Sequence, residues 1–300
     1  METNKASGGE PFFRSHARFL VIAAVFLSFT LDSFARYPIP GPNESHYLCK
    51  AKHYWDPAWC ARDLFLASSN AHLVFYQTFG LMTRWLSLAT TAFIGRLVGL
   101  WILAVGWTAL VNVLVPARWP ALWAAWIFLA LSALGSLSGE WLVGGIEAKV
   151  VAYGLLFSAI AAAVEGQAAG SGRRILWAGI LAGLAISFHP VVGIWGVASA
   201  VFATLVRAVF RRNRTSGHRV GGRWYAASAV ALGLLAAPGI VAGLRAASGS
   251  SVVADYIQVY YRLAHHLDPL HFAEWGWIGE GLNWLLALVH LPPVDFTGWP

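Results

Sequence analysis

Long apolar runs separated by short polar stretches dominate this chain. Seven runs reach or approach the roughly 20 residues that a helix needs to cross about 30 Å of hydrocarbon. They cover approximately residues 19–34, 97–115, 121–137, 150–164, 175–188, 191–210 and 224–244. The runs lack the period-two alternation of barrel strands, and only helices or closed barrels satisfy every backbone group in lipid. The pattern predicts an all-α, polytopic transmembrane bundle of about seven to eight spans.

Two polar segments interrupt the apolar pattern. The first, about residues 36–90, opens with prolines that favour extended backbone before Asn43. Its stretch from Asp63 to Leu86 has mixed polarity, which predicts one or two helices lying along the membrane surface. The second polar segment, about residues 245–276, is rich in Tyr, His and Asp. Both segments are expected to be extracytoplasmic.

The domain organisation follows from the same pattern. We expect residues 1–18 to form a cytoplasmic tail and residues 19–300 to form a single membrane domain. The last apolar patch, residues 282–291, is too short to be assigned as a span. We therefore expect that the C-terminal part of a larger architecture is missing.

Composition places the chain in lipid, and charge gives its orientation. Hydrophobic residues make up 58% and charged residues 12% of the 300 residues, whereas about a quarter of a soluble domain is charged. With a cytoplasmic N-terminus, the basic block from Arg211 to Arg223 and the loops at Arg118 and Arg173 lie inside. This predicts a multi-pass membrane protein with a cytoplasmic N-terminus. The net charge of +7 then reflects topology, and we expect no nucleic-acid partner.

The first apolar run has an alternative interpretation. After a basic start, Ser33-Phe34-Ala35 resembles the small-residue site of a cleaved signal peptide. Asp32 fits poorly in such a site, and the predicted topology is the same in either case.

A carboxylate at the start of the first polar segment is the main catalytic candidate. Glu44 follows the prolines directly, at a membrane boundary where low dielectric can shift a pKa towards that of a base. Asp32 lies near the end of the first apolar run and is the second candidate. The alternative is that Glu44 is a solvated loop acid and Asp32 an interfacial helix end.

The order of these features resembles the GT-C class of membrane glycosyltransferases, which includes the aminoarabinose and protein O-mannosyl transferases. The matching residues are Asn43-Glu44 and Tyr47. The resemblance implies a donor sugar on a polyprenyl phosphate and a catalytic acid at the start of the loop. Asn43 stands where the family usually has Asp, so Glu44 or Asp32 would have to do its work. The chain also resembles uncharacterised bacterial polytopic proteins through its stretch Cys-Lys-Ala-Lys-His-Tyr-Trp-Asp.

Cys49 and Cys60 both lie in the first polar segment. Because thiols outside the cytoplasm can be oxidised, we expect a disulfide between them, with two free thiols as the alternative. A zinc site with His46 or His53 is a further alternative, although the Cys and His spacing matches no familiar motif.

The second polar segment carries a group of residues that could bind phosphate or metal. His265 and Asp268 are three residues apart, as are Asp268 and His271, so a helix would place them on one face. These residues and His266 suit a divalent metal ion, and Arg262 suits a phosphate. Pro269 argues against an unbroken helix, and an interfacial loop is the alternative.

Charged and imidazole groups near the ends of apolar runs are the other candidates for donor-phosphate binding. Lys149 and Glu147 lie at the edge of the fourth run, where charges normally face a bundle interior. Because they are two residues apart, we expect them not to pair on one helix face. Lys149, His189 and Arg245 are predicted to bind phosphate together with Arg262. The alternatives are a snorkelling Lys149 and a His189 that caps a helix turn before Pro190.

Two classes of function remain. The leading prediction, which the resemblance implies, is a glycosyltransferase of the bacterial inner membrane whose partners are the bilayer and a polyprenyl-phosphate-linked sugar. The alternative is a transporter or non-catalytic polytopic protein, with a substrate site at the helix break around His189-Pro190. The acids and most histidines fall in outer segments, which favours the enzyme.

Overall fold

The computed structural model describes residues 10–41, 43–117, 119–134, 142–210 and 220–248. All regular secondary structure in these ranges is helical. The α-helices are α1 (Glu10–Arg36), α2 (Glu44–Trp55), α3 (Leu64–Ala67), α4 (Leu73–Gln77), α5 (Leu88–Leu114), α6 (Pro120–Leu134), α7 (Ala148–Ala169), α8 (Gly172–Phe188), α9 (Pro190–Phe210) and α10 (Gly222–Ser248). A 3₁₀ helix, Phe79–Arg84, precedes α5.

Five of these helices are long and apolar enough to cross a membrane: α1 from Ala17, α5, α7, α9 as far as Arg207, and α10. The helical, multi-pass part of the sequence prediction is confirmed. The count of seven to eight spans is not confirmed. The predicted run at residues 121–137 corresponds to α6, which is described as far as Leu134, and the run at residues 175–188 corresponds to the 17-residue α8; neither is among the five candidate spans of the described residues.

The chain divides into two compact units. Residues 1–126 and 143–248 form one unit, and residues 127–142 and 249–300 form the other. Of the second unit, the structure describes residues 127–134 and 142. The packing and the candidate site described below belong to the first unit, and the prediction of a single membrane domain stays a prediction.

Glycines at helix contacts show how α5 and α7 are arranged. Three contacts follow one another in the same order along both segments: Gly95 with Ile146, Gly99 with Val150, and Gly106 with Gly154. The two helices therefore run parallel and begin at the same end of the unit. An added side chain at Gly106 would overlap the Gly154 backbone, so this close approach depends on small residues.

The same reasoning gives the direction of α8. Gly166 near the end of α7 contacts Ile175 near the start of α8, so these two helices are antiparallel. On its other side, α8 runs parallel to α10, because Gly179 contacts Ser228 and Gly183 contacts Leu232. Consequently α5 and α7 begin, and α8 ends, at one end of the unit, which we call the polar end.

The first polar segment packs on the polar end through an apolar core. Leu48 of α2 and Phe75 of α4 are buried together with Ala92, Ile146 and Val151 from the starts of α5 and α7. The helix α2 was not predicted, although Asn43 followed by Glu44 is a typical helix start. The structure thus contains short helices where surface helices were predicted.

Candidate functional site

A buried ion pair between Glu44 and Arg96 ties the start of α2 to α5. Arg96 donates through Nε to Oε1 of Glu44 at 2.9 Å and through Nη2 to Oε2 at 2.7 Å. Neither side chain has any exposed surface. The guanidinium also donates to the carbonyl of Tyr37 at 2.6 Å and to that of Pro38 at 3.3 Å. Arg96 therefore holds both the carboxylate and the chain that leads to it.

The Glu44 carboxylate accepts two further hydrogen bonds from backbone amides. Gly41 N lies 2.8 Å from Oε2, and Ile146 N lies 2.7 Å from Oε1. Burial by itself raises the pKa of Glu44, but the bonds from Arg96, Gly41 and Ile146 outweigh it and lower the pKa. These contacts are those of a permanently ionised structural anchor. The catalytic role predicted for Glu44 stays a prediction, without a contact that favours it.

Asp32 pairs with Arg36 one turn further along α1. Its Oδ1 lies 3.3 Å from Nη1 of Arg36, and the two side chains are 16% and 30% exposed. No described contact joins Asp32 to Glu44. The predicted catalytic role of Asp32 also remains a prediction.

Six polar side chains from four separate stretches form a ring at the polar end. We call this set the polar ring; its members are Asn43, Tyr47, His72, Glu147, Lys149 and His189. Asn43 and Tyr47 lie one helical turn apart at the start of α2. His72 caps the start of α4, Glu147 and Lys149 lie at the start of α7, and His189 lies between α8 and α9.

One side of the polar ring consists of an amide, a carboxylate and an ammonium group. Asn43 precedes α2 but does not cap it with its side chain; instead its Nδ2 makes a long hydrogen bond, 3.5 Å, to Oε2 of Glu147. The same oxygen lies 3.1 Å from Nζ of Lys149. The position that resembles the family's acidic position therefore faces a carboxylate supplied by another helix.

The prediction that Glu147 and Lys149 do not pair is wrong. It assumed that both residues are helical, whereas Glu147 precedes α7 with extended backbone angles (φ −137°, ψ 157°). Its side chain can therefore turn back over the first helical turn towards Lys149. Both side chains are buried, at 3% and 5% exposure, so their pairing is screened little by water.

The other side of the polar ring consists of a tyrosine and two stacked imidazoles. The hydroxyl of Tyr47 lies 3.3 Å from Nε2 of His72, and the rings of His72 and His189 are 4.7 Å apart. Burial lowers the pKa of His72 to about 4, and the charge of Lys50 adds to this shift. Burial also lowers the pKa of His189 to about 3, with contributions from His72 and Lys149. Both imidazoles are neutral at pH 7.

Lys50 lies close to the polar ring on α2. It is only 5% exposed, and its Nζ donates to the carbonyl of Phe65 at 2.9 Å and to the hydroxyl of Ser68. Burial lowers its pKa. Among the described residues, no carboxylate lies within ion-pair distance of this ammonium group.

Of the other residues predicted to bind phosphate or metal, the structure describes Arg245 but not the group from Arg262 to His271. Arg245 is exposed on the last turn of α10; Gly243, two residues earlier, lies beside Pro190, so Arg245 is at the polar end without a described contact to the ring. Arg262, His265, His266, Asp268 and His271 lie outside the described residues. Within the described ranges, no cluster of three or more His, Cys, Asp or Glu side chains could hold a metal ion.

The predicted disulfide is not present in the structure. Cys49 is half-buried and Cys60 is exposed, and both are free thiols. Burial raises the pKa of Cys49, and the neighbouring Cys60 and Asp63 contribute. The thiol of Cys49 is therefore the less reactive of the two.

Three residues of the site were missed by sequence reasoning. Arg96 lies within an apolar helix, where a charge normally faces a partner or a water-filled interior, and this was the available signal. His72 and Lys50 occur in a polar segment, where such residues are common. Only the packing of α2 and α4 on the bundle distinguishes them.

No protein-family model, curated protein or solved structure matches this chain. The resemblance to GT-C transferases thus rests on the order of elements and on the short stretch around Asn43 and Tyr47.

The polar ring combines groups of complementary chemistry. Glu147 can accept a proton or hold a cation, Lys149 can neutralise an anion, and neutral imidazoles can accept or relay a proton. Glu147, Lys149 and His189 stand at the ends of the apolar helices α7, α8 and α9, and the other three groups come from the short helices packed on them.

Proposed function

We propose that this protein is a membrane glycosyltransferase of GT-C type. It moves a sugar from a polyprenyl-phosphate donor to an acceptor on the extracytoplasmic face of a bacterial inner membrane. The observation that supports the proposal is the polar ring, which gathers a carboxylate, an ammonium group and two imidazoles at one end of a lipid-embedded helical body. Asn43 and Tyr47, the residues that carry the family resemblance, belong to this ring.

The proposed orientation puts the polar end outside. Arg173 and Arg174 at the start of α8, Arg207 near the end of α9 and Arg223 at the start of α10 belong to the opposite helix ends. Because basic residues concentrate on the cytoplasmic side, this distribution favours a cytoplasmic N-terminus. The count of seven to eight spans remains part of the proposal, with α6 and α8 as the further candidate crossings.

In the proposed reaction, the bond between the sugar's anomeric carbon and the phosphate oxygen breaks, and a bond to the acceptor oxygen forms. Glu147 takes the proton of the acceptor hydroxyl, a role that Asn43 cannot fill because its amide is neutral. Lys149 neutralises the charge that develops on the departing phosphate, and the neutral imidazole of His189 can donate a hydrogen bond to it. Glu44, held by Arg96, fixes Asn43 opposite Glu147.

Arg245 lies at the polar end, and its proposed role is to bind the donor phosphate. The phosphate role of Arg262 and the divalent-metal role of His265, His266, Asp268 and His271 stay predictions from the sequence.

A transfer assay in liposomes tests the proposal. The full chain is reconstituted with a radiolabelled hexose on a polyprenyl phosphate, and label that leaves the lipid is measured. We expect Glu147→Gln to lower the rate by a factor of about 100 or more, since general base catalysis contributes about that much. Glu165→Gln is the matched control, because Glu165 pairs with Arg174 at the opposite end, 39% exposed. Full activity of Glu147→Gln would overturn the assignment.

A transporter is the second candidate, favoured by one observation. His189 belongs to the polar ring and is also the single extended residue (φ −143°, ψ 96°) between α8 and α9, and broken helices often bind transported solutes. Uptake of a solute into the same liposomes without transfer of label would favour this candidate and contradict the transferase.

A further inference from the structure

Exposed arginines gather at the end of the unit opposite the polar end. The helices α8 and α10 both begin there and run parallel. Arg173 and Arg174 lie in the first turn of α8, Arg223 lies in the first turn of α10, and all three are exposed. Arg174 pairs with Glu165 of α7 at 3.3 Å, so its charge is offset. Arg173 and Arg223 therefore carry the positive charge of these two helix starts.

A tryptophan holds the two arginines at neighbouring positions. The indole of Trp224 packs on Gly172, and a side-chain carbon added at Gly172 would overlap the ring. This contact depends on a glycine and fixes the first turn of α10 against the first turn of α8. Arg173 and Arg223 are each one residue away from it. The guanidinium of Arg223 also lies 5.8 Å from the centroid of the Trp224 ring.

A second tryptophan lies one turn further along α8. Trp177 is 48% exposed and is four residues from Arg173, so the two share a face and are about 6 Å apart along the helix axis. An arginine at the helix end, followed inwards by an exposed tryptophan, matches the order of phosphate and glycerol groups in a phospholipid, because tryptophans concentrate at the membrane interface. We call Arg173, Trp177, Arg223 and Trp224 the basic patch.

The sequence that leads to α10 shows which kind of lipid the basic patch fits. Residues 207–223 contain six arginines and neither Asp nor Glu. Clusters of four to eight basic residues directly beside a span attract anionic lipid. This charge is a property of the sequence, and it favours an anionic phospholipid over a zwitterionic one.

We infer that the basic patch binds the phosphodiester headgroup of an anionic phospholipid in the leaflet at this end of the unit. Arg173 and Arg223 bind the phosphate through charged hydrogen bonds, and Trp177 lies beside the glycerol. Trp224 keeps the two arginines in place. The inference goes beyond the proposed transferase, because the basic patch lies at the end opposite the polar ring and takes no part in sugar transfer.

Native mass spectrometry of the full chain tests the inference. The protein is released from mixed micelles of phosphatidylcholine with increasing phosphatidylglycerol, and the lipids retained on it are counted. We expect one phosphatidylglycerol to be retained in preference to phosphatidylcholine. In the same micelles, phosphatidylglycerol should raise the melting temperature, since a ligand that binds only the folded state stabilises it.

Matched variants locate the site. Arg173→Gln and Arg223→Gln should each weaken retention of phosphatidylglycerol about fivefold, the usual contribution of one arginine beside an anionic lipid surface. Arg173→Lys keeps the charge and should keep most of the affinity, which guards against loss by misfolding. Arg207→Gln is the control, because it removes one exposed arginine near the end of α9, at the same end of the unit. It should bind like the wild type.

Each result decides for or against the basic patch. A preference for phosphatidylglycerol that disappears in the double variant Arg173→Gln/Arg223→Gln, together with its effect on melting, would support it. Equal retention of the two lipids by the wild type would overturn the inference. A loss in Arg207→Gln as large as that in Arg173→Gln would also overturn it, because the attraction would then be diffuse. None of these measurements depends on sugar transfer, so they stand apart from the test of the proposed function.

Discussion

Replacing Glu44 by glutamine distinguishes an anchoring role from a catalytic one. The carboxylate accepts four hydrogen bonds, two from Arg96 and one each from the amides of Gly41 and Ile146. A glutamine keeps one acceptor oxygen and turns an NH₂ group towards donors. The guanidinium, with no exposed surface, is then left as an uncompensated charge.

The expected cost follows from this geometry. Breaking a buried ion pair by removing one partner costs about 3 to 5 kcal/mol, which is a large part of the about 5 to 15 kcal/mol that typically stabilises a protein. At about 2 °C per kcal/mol for a chain of this size, the melting temperature of Glu44→Gln should fall by about 6 °C or more. Arg96→Lys should also be destabilised, because a lysine cannot donate the two parallel bonds.

Intrinsic fluorescence follows the melting in detergent, since the chain contains 16 tryptophans. The control is Glu165→Gln, whose exposed pair with Arg174 contributes at most about 1 kcal/mol. The double variant Glu44→Leu/Arg96→Met should melt above Glu44→Leu alone, because it leaves no buried charge. A Glu44→Gln protein with the melting temperature of the wild type but without sugar-transfer activity would refute the anchoring role and favour the catalytic one.

Three further predictions test the packing, the thiols and the imidazoles. Gly154→Ala should lower the melting temperature, because the added carbon would lie 2.7 Å from the carbonyl oxygen of Ile102, whereas Gly233→Ala, with open space around it, should not. Maleimide labelling at pH 7 should modify the exposed Cys60 faster than Cys49, and equal rates would contradict the burial of Cys49. Burial lowers the pKa of His72 to about 4 and that of His189 to about 3. Between about pH 6.5 and 4 the unfolded state therefore binds more protons than the folded state, and the free energy of unfolding falls as pH falls through this window. A variant with both histidines changed to glutamine should lose less stability between pH 7 and pH 5, as melting temperatures at the two pH values will measure.

The amino-acid sequence alone determined the class of architecture. Long apolar runs must form helices in lipid because the backbone has no other hydrogen-bond partner there. That constraint is local, so the runs starting near Phe19, Val150 and Val191 correspond to helices in the structure. The count of spans was not determined by the sequence, because the runs at residues 121–137 and 175–188 are close to the minimum length that a crossing needs.

Only the tertiary structure decided what the polar residues do. Glu44 and Arg96 are 52 positions apart, and nothing local indicates that one neutralises the other. Glu147 and Lys149 seemed unable to pair under helical spacing, and the extended backbone at Glu147 reversed that. The partner of a charged side chain depends on which helix ends lie next to each other. That arrangement depends on contacts between residues far apart in the sequence, such as Gly106 with Gly154. The sequence thus determined which polar groups are present, and only the packing of the helices brought them together in the polar ring.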